Sequence, residues 1–270
     1  MSGRFHELLE ATIEHLESLK AGGCKYLAIS PETRACLTAP VGAVSRKESK
    51  GAAKAAAMAS LRQQALGCQK CPHLARSRKQ VVFGVGDIHS PLMFVGEAPG
   101  ADEDLQGEPF VGKAGQLLTR IIKAMGFTRE TVYIANILKC RPDTLGQVAG
   151  NRKPTPEEMQ TCLPYLLAQV EIIQPKVMVA LGATAVEGLL GKTLGITKLR
   201  GHFQQFRGIP LMPTYHPAFL LRNQSLHVKR EVWEDMLQVL DRLGAPISEK
   251  QRSFFLPKST SSSHFGSPTA

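Results

Sequence analysis

The sequence predicts an α/β fold in which helices cover both faces of a parallel sheet. Apolar runs short enough to be buried strands alternate with longer stretches of helical periodicity through the middle of the chain. The runs interpreted as strands are 92–95, 132–138, 177–182 and 209–215. In an open sheet of this kind, the loops that follow the carboxyl ends of the strands build the functional site.

Composition limits the protein to a few classes. Its 270 residues are 43% hydrophobic, which suits one globular domain of ordinary core size with appendages. No apolar run reaches the roughly 18 residues of a membrane span. Residues 1–15 also lack the apolar core of a signal peptide. We therefore expect a soluble, cytoplasmic protein with no membrane partner.

Charge and cysteine content indicate the kind of partner and of site. The chain carries 33 basic and 23 acidic residues, and its net charge of +10 favours a polyanion such as nucleic acid. There are six cysteines and no secretion signal. That combination indicates metal binding or redox chemistry rather than disulfides.

The first 66 residues are predicted to be mainly helical. Apolar residues at near-helical spacing predict an amphipathic helix over 3–20, which ends at two glycines. A short strand over 25–29 and a polar, basic linker over 45–54 are predicted to follow. The alanine-rich stretch 52–66 has high helix propensity and is predicted to form a second helix.

Residues 94–118 combine a strand end, a glycine-rich turn and a cluster of carboxylates. The turn is Gly96 to Gly100, three acids follow at 102–104, and a helical pattern begins at Lys113. The stretch contains neither a dinucleotide fingerprint nor a phosphate-binding loop, and clustered acids would repel a phosphate. Phe110 lies between two glycine turns without an evident packing role, which indicates a functional residue.

The second half of the chain continues the alternation of helices and strands. Helices are predicted over 157–173, 183–190 and 226–243. The strand 209–215 contains two prolines, which predicts a position at the edge of the sheet. From Ser248 onward Ser, Thr, Lys and Pro dominate, and this composition predicts disorder.

Two segments resemble the motifs of a known family. GEAPGADEDLQGEPFVGKAGQLL, residues 96–118, is similar to the first motif of the family 4 uracil-DNA glycosylases, the iron–sulfur members of their superfamily. The heptad HPAFLLR, residues 216–222, matches the second motif. The resemblance covers residues 66–243. It implies a three-layer α/β/α sandwich around a four-stranded parallel sheet.

This resemblance divides the chain into three parts. Residues 1–65 form an amino-terminal helical extension and linker, 66–247 a glycosylase-like catalytic domain, and 248–270 a disordered tail. The extension lies outside the resemblance. It is either a module that contacts a protein partner or a packing extension, and we expect the protein to be a monomer.

The resemblance implies hydrolysis of the N-glycosidic bond of deoxyuridine in DNA, which leaves free uracil and an abasic site. Such an enzyme must flip the nucleotide out of the stack and read its base edge. By their matching positions, Phe110 would stack on the base and Asn136 would read O4 and N3–H with its amide. His216 would donate a hydrogen bond to O2 as negative charge develops there. Gly96 and Ala98 would complete the uracil pocket.

A carboxylate is also needed, to position water and stabilise the sugar cation. Glu97 is the first choice, with Glu103 and Asp104 as alternatives in the same motif. The family 1 enzymes place an aspartate where this chain has Ala98, so the assignment cannot be copied from them.

Four cysteines match the family's cluster ligands: Cys68, Cys71, Cys140 and Cys162. Thiolates suit either zinc or an iron–sulfur cluster, and the spacing alone does not choose between them. The resemblance implies a [4Fe-4S] cluster, which we expect to be structural. Cys24 and Cys36 have no matching position and are interpreted as ordinary thiols.

The loop over residues 143–161 is longer than is usual in the family. A related glycosylase group carries an insertion here with a histidine that becomes covalently attached to the sugar. This loop contains no histidine. We therefore do not expect a reaction that traps the DNA.

Several residues are candidate contacts to uracil-containing DNA, whether single- or double-stranded. Leu220 and Leu221 would either wedge into the base stack or anchor the last helix, and Arg222 would contact a phosphate. Basic residues around Gly201 would either contact phosphates or form a solvated loop: Lys198, Arg200 and His202.

Three other functions remain open from the sequence. One is a broader glycosylase that also acts on hypoxanthine or xanthine. Another is a non-catalytic iron–sulfur protein that binds DNA and is associated with replication or repair. The third is a zinc protein with an unrelated small-molecule site. The joint presence of Glu97, Phe110, Asn136 and His216 speaks against mere DNA binding, which needs none of that set.

Overall fold

The computed structural model describes residues 2–24, 30–33, 43–143, 152–191 and 195–256. The chain divides into two compact units, Met1–Lys50 and Gly51–Ala270. The predicted first helix is confirmed as α1 (Ser2–Ala21), whereas the predicted strand over 25–29 lies outside the described residues.

The second helix, α2 (Ala43–Leu66), is longer than predicted, and its sequence crosses the boundary between the two units. The linker predicted over 45–54 is therefore wrong. That stretch is polar but contains no proline, and its Lys, Glu, Arg and Ala residues all favour a helix.

The second unit is built on a six-stranded sheet. Its strands are β1 (Val85–Gly86), β2 (Leu92–Gly96), β3 (Tyr133–Asn136), β4 (Val177–Leu181), β5 (Gln204–Phe206) and β6 (Ile209–Thr214). They lie in the order β1-β3-β2-β4-β6-β5. The four central strands are parallel, as predicted, while β1 and β5 pair antiparallel at the two ends. These end strands have two and three residues, too few to show a periodicity in the sequence.

The edge position predicted for β6 is wrong, because β6 lies between β4 and β5. Its prolines are tolerated for a local reason. Pro210 is in register only with β5 and Pro213 only with β4. Each proline thus has one side without a paired strand, where a missing N–H removes no ladder hydrogen bond.

Helices flank the sheet and connect its strands. The first are α3 (Pro72–Ser77), α4 (Ala101–Gln106), α5 (Lys113–Ala124), α6 (Pro156–Ile173) and α7 (Ala183–Leu190). They are followed by α8 (Ile196–Leu199), α9 (Pro217–Arg222), α10 (Leu226–Leu243) and α11 (Glu249–Ser253). The α6 helix begins with a reciprocal cap between Thr155 and Glu158, each side chain bonding the other's backbone N–H. Among the described helices, none is both long and apolar enough to cross a bilayer.

Disorder predicted from Ser248 onward is wrong for residues 248–256. They contain α11, whose first turn is capped by Ser248. The Trp233 indole donates to the Gln251 carbonyl and stacks near Phe254, with ring centroids 5.2 Å apart. These contacts order the segment despite its polar composition. Residues 257–270 lie outside the described part of the chain.

Two apolar clusters cover the two faces of the sheet and confirm the three-layer sandwich. Along β2, Met93 and Val95 belong to one cluster and Leu92 and Phe94 to the other, as alternation along a strand requires. The first cluster includes residues of α6 and α7, and the second includes residues of α5 and α10. Both faces of the central strands are therefore buried, and function is confined to the strand ends and loops.

Candidate active site

The carboxyl ends of β2, β3 and β6 meet around one cavity of about 270 Å³. Gly96 at the end of β2 is in register with Asn136 at the end of β3. His216 follows β6 by two residues. Both Asn136 and His216 line the cavity, together with Phe110 and Ala98. Residues far apart in the sequence and predicted to form one pocket are thus brought together.

Asn136 presents an unsatisfied polar atom at this cavity. The residue is only 2% exposed, and its Oδ1 is a buried side-chain atom with no hydrogen-bond partner among the described residues. A buried acceptor left unpaired costs about 1–3 kcal/mol, so a ligand that donates a hydrogen bond there is favoured. A Cβ on Gly96 would lie 2.5 Å from this oxygen, so the cavity requires glycine at that position.

The Phe110 ring forms another wall, and its backbone is held in an unusual conformation. Its φ of 55° is uncommon for a residue with a side chain. Arg129 stabilises the turn, because its guanidinium donates to the carbonyls of Pro109 at 2.7 Å and Phe110 at 2.9 Å. Gly115 packs so closely that a Cβ there would lie 1.8 Å from the Phe110 oxygen. The ring centroid of Phe110 lies 5.7 Å from that of His216.

Glu103 lines the cavity but is engaged with the backbone of its own motif. Its carboxylate accepts hydrogen bonds from the N–H groups of Gly100, Val111 and Gly112 at 2.9–3.0 Å. These bonds tie the first turn of α4 to the segment that carries Phe110. Glu103 therefore holds the conformation of the loop that carries Phe110.

The other two candidate carboxylates differ from each other in whether hydrogen bonds engage them. Asp104 is buried and accepts from the backbone N–H of Lys79 at 3.0 Å, so it too is engaged structurally. The Glu97 carboxylate forms neither an ion pair nor a hydrogen bond with any residue that the structure describes. Of the three, only Glu103 lines the cavity; neither Glu97 nor Asp104 is among its lining residues.

His216 is held as a neutral imidazole with a defined tautomer. Its Nδ1 accepts the backbone N–H of Ala218 at 3.1 Å, so the ring proton is placed on Nε2. Burial, reinforced by the positive charge of Arg222, lowers the pKa of His216 to about 4. Gly182 has a φ of 92°, and a Cβ there would lie 2.9 Å from the His216 Cβ. A neutral N–H donor is thus fixed at the cavity.

The heptad that follows His216 separates into buried and accessible residues. Leu220 is 5% exposed and packs with Tyr215, Val228 and Val232. Its side chain anchors α9, whereas Leu221 is half-buried and Arg222 is exposed. The accessible candidates for DNA contact are therefore Leu221 and Arg222.

Arg200 does not face solvent as an unpaired cation. Its guanidinium contacts Asp235 at 2.6 Å and Glu231 at 3.1 Å, and its side chain is only 13% exposed. Asp235 is fully buried and also accepts the hydroxyl of Thr214, the last residue of β6. Arg200 therefore cross-links β6 and α10 through this carboxylate.

The four candidate cysteine ligands converge on a second, smaller cavity: Cys68, Cys71, Cys140 and Cys162. Arg78 donates to the Cys140 sulfur and the backbone N–H of Lys139 donates to the Cys162 sulfur, both at 3.2 Å. Burial raises the pKa of Cys162 to about 11 and raises that of Cys140 as well. Among the described residues, no three His, Cys, Asp or Glu side chains are arranged to hold a single metal ion. Cys24 is exposed, and Cys36 lies outside the described residues.

Arg129, Gly115 and Gly182 support the pocket but are missed by sequence reasoning. Gly115 belongs to the first motif but is assigned no role there, Gly182 lies near His216 only in space, and Arg129 lies 19 positions after Phe110. A lone arginine in a loop has no sequence pattern that distinguishes it from a solvated one.

The chain is similar to a family model and to several known proteins. The family model of the uracil DNA glycosylase superfamily matches residues 83–237. A type-4 uracil-DNA glycosylase of Thermotoga maritima is 48% identical over 171 residues, which cover 63% of this chain and 85% of the relative. One of Archaeoglobus fulgidus is 38% identical over 198 residues, 70% of this chain and 93% of the relative.

A more distant match lies inside a much larger protein. A DNA polymerase of Bacillus phage SP01 is 30% identical over 140 residues, which make up 52% of this chain and 14% of the polymerase. The family model spans more than half of the chain, and the identity to type-4 relatives extends over most of their length. The chain therefore belongs to the uracil DNA glycosylase superfamily, among its type-4 members.

Proposed function

We propose that this protein removes uracil from DNA by hydrolysing the N-glycosidic bond, the first step of base excision repair. The observation that carries the proposal is the unpartnered Oδ1 of Asn136, buried at a cavity beside Phe110 and the neutral His216. At about 270 Å³ the cavity is slightly smaller than the roughly 300–1,000 Å³ of pockets for drug-sized ligands, which suits a single flipped base.

Recognition of the base rests on one amide. The Oδ1 of Asn136 would accept the N3–H of uracil, and its Nδ2 would donate to O4. Cytosine presents an amino group in place of O4 and an acceptor in place of N3–H, so both bonds would be lost. Phe110 would pack against the base, while Gly96 leaves the space that the base edge needs.

Bond cleavage places negative charge on the base and positive charge on the sugar. The bonding electron pair leaves with N1 of uracil as the C1′–N1 bond breaks. His216 would stabilise the charge that spreads to O2 by donating from Nε2, a neutral donor that needs no proton transfer. Water then adds to C1′. Glu97 would hold that water and take its proton, while Glu103 keeps the Phe110 loop closed.

The best test is a single-uracil oligonucleotide treated with the protein, then with alkali, and resolved on a denaturing gel. We expect cleavage at uracil that collapses in both Asn136→Ala and His216→Ala. Parallel oligonucleotides with hypoxanthine or xanthine distinguish a broader glycosylase. A gel shift with intact DNA and no abasic site, on both single- and double-stranded substrate, would instead favour a DNA-binding protein.

We also propose that the four cysteines hold a [4Fe-4S] cluster. In a zinc site the thiolates converge to about 2.3 Å from one ion, whereas a four-iron cluster gives each thiolate its own metal. The shared cavity and the donors aimed at two sulfurs suit the wider arrangement. When bound, the cluster would supply a cross-link between the chain before β2, the loop after β3 and α6.

Iron content is the direct check of this site. Protein purified without oxygen is expected to be brown and to contain about four irons per chain. Cys162→Ser should lose most of the iron, while Cys24→Ser, at an exposed cysteine, should keep it. Colourless protein with about one zinc per chain would contradict the proposal.

Variants of Arg200 and Arg222 are expected to have opposite effects on stability and on the salt dependence of DNA binding. Arg200→Gln leaves the buried Asp235 unpaired and is expected to destabilise the fold by about 3–5 kcal/mol, measured by denaturant unfolding. The salt dependence of DNA binding should stay unchanged. Arg222→Gln, at an exposed residue, should leave stability intact and reduce the slope of log Kd against log salt by about 1. The reverse pattern would place Arg200 on a phosphate.

We propose that residues 66–247 carry the activity and that residues 1–65 contact a protein partner. In α1 the apolar side chains of Ile13 and Leu16 are 49% and 46% exposed, three positions apart on the helix. Such a surface would suit a partner of the replication or repair machinery near DNA.

A further inference from the structure

One ammonium is buried between the base pocket and the cysteine site. Lys139 is 2% exposed, and its Nζ donates to the backbone carbonyl of Asn136 at 3.0 Å and to Oε1 of Gln169 at 2.6 Å. No carboxylate of the described residues forms an ion pair with it. Its Nζ also lies 5.8 Å from the centroid of the Phe83 ring. Burying an ammonium is unfavourable unless such contacts compensate, so its surroundings call for a specific reason.

The register of the sheet explains why the Lys139 ammonium makes these contacts. The antiparallel pairing of β1 with β3 includes Val85 with Ile134, and the Val82 N–H then bonds the Lys139 carbonyl at 2.8 Å, so Phe83 and Asn136 lie in a gap between two backbone-paired stretches. Side chains fill this gap. Gln169 donates through Nε2 to the Phe83 carbonyl at 3.0 Å, and its Oε1 accepts the ammonium that also binds the Asn136 carbonyl. Lys139 and Gln169 together replace a missing rung of the ladder.

The main chain of Lys139 is tied to the cysteine site. Its backbone N–H donates to the Cys162 sulfur at 3.2 Å, and Cys140 is the next residue. Gln169 lies on α6, two turns after Cys162. The segment after β3 thus carries both Cys140 and Lys139, and α6 carries both Cys162 and Gln169. Each of these two elements contributes to the cysteine site and to the side-chain bridge at the Asn136 carbonyl.

We propose that Lys139 is a positioning residue, which orients the Asn136 amide towards the base and couples that orientation to the cysteine site. The inference rests on the proposed glycosylase function. Without the ammonium, the carbonyl of Asn136 loses its donor at the point where β3 ends. The amide then samples orientations that do not match the uracil edge.

The test is inhibition of uracil excision by free uracil, which reports on the pocket separately from DNA binding. In Lys139→Met, the inhibition constant for uracil is expected to rise about tenfold or more, with iron content retained. Lys54→Met is the matched control. Its Nζ also donates to a backbone carbonyl, but to that of Ile173 at the end of α6, at 2.9 Å, and not to that of Asn136. Its inhibition constant should equal that of the wild type.

A double variant separates positioning from stability. Lys139→Met with Gln169→Leu removes both side chains of the bridge and also takes the Gln169 amide donor from the Phe83 carbonyl and the Tyr133 hydroxyl, so its Tm should fall below that of Lys139→Met alone. Its inhibition constant should remain raised, because the Asn136 carbonyl still lacks a donor. A wild-type constant in either folded variant would overturn the proposal. Failure of the proposed function is distinct, since the wild type itself would then excise no uracil.

Discussion

Asn136→Leu is expected to abolish most uracil excision while leaving the protein at least as stable as the wild type. Leucine has a similar size and removes a buried oxygen that has no partner among the described residues. The unpaired acceptor costs about 1–3 kcal/mol, so its loss should not lower Tm. Two hydrogen bonds to the base disappear, and kcat/KM should fall by roughly 10² to 10⁴-fold. Excision kinetics and thermal unfolding of the same preparation measure both effects.

Asn136→Asp is the companion variant. It keeps an acceptor for N3–H but replaces the donor to O4 with a carboxylate oxygen, and it buries a charge. We expect both excision and stability to fall, in contrast to leucine. If the leucine variant unfolded as readily as the aspartate variant, Asn136 would be serving the fold rather than the base.

His216→Ala is expected to lower kcat by roughly 10² to 10³-fold with a smaller change in KM. The Nε2–H group donates to charge that exists only as the bond breaks, so its removal affects the transition state more than binding. His227→Ala is the control, because His227 is 80% exposed on α10. If His216→Ala lowered kcat/KM only by raising KM, His216 would be assigned to substrate binding.

The pH dependence follows from the lowered pKa of His216. A pKa of about 4 keeps the imidazole neutral across the working range, so kcat should show no inflection near pH 6.5 from this group. The unfolded chain binds the proton at about pH 6.5, and the folded protein only near pH 4. The free energy of unfolding should therefore decrease as pH falls through this window. His216→Ala should remove the contribution of this imidazole and make the slope smaller.

The parallel core was predictable because its signals are local, whereas the residues of the candidate pocket were predicted from the family resemblance. Runs such as 92–95 are buried on both faces and therefore continuously apolar, and the register then brings Gly96 beside Asn136. The long first motif carries Phe110 and the acids in one ungapped stretch. Phe110, Asn136 and His216 are named by their positions in the family motifs, and the fold brings all three to one cavity.

What could not be predicted depends on partners remote in the sequence. The polar stretch from Ser248 looks disordered until Trp233 and Ala124 provide partners for Gln251. Arg200 looks like a solvated cation until α10 brings Asp235 against it. Glu103 and Asp104 remain alternatives to Glu97 in the sequence, and only the structure shows that backbone N–H groups engage both of them. In each case tertiary contacts determine the local structure or the pairing of the side chain, and these contacts cannot be inferred from the amino-acid composition.

The spread of the four cysteines along the chain has a consequence for folding. Cys68 and Cys162 are separated by nearly a hundred residues, and β2, β3 and the segment that carries Phe110 lie between them. A group that joins these cysteines restricts the unfolded ensemble as a covalent staple would. For a loop of this length, the lost chain entropy is worth about 4–5 kcal/mol, a large share of a typical domain's stability. Oxidative loss of such a group would then expose the chain to proteolysis, so damage to the cysteine site would lower the amount of protein as well as its activity.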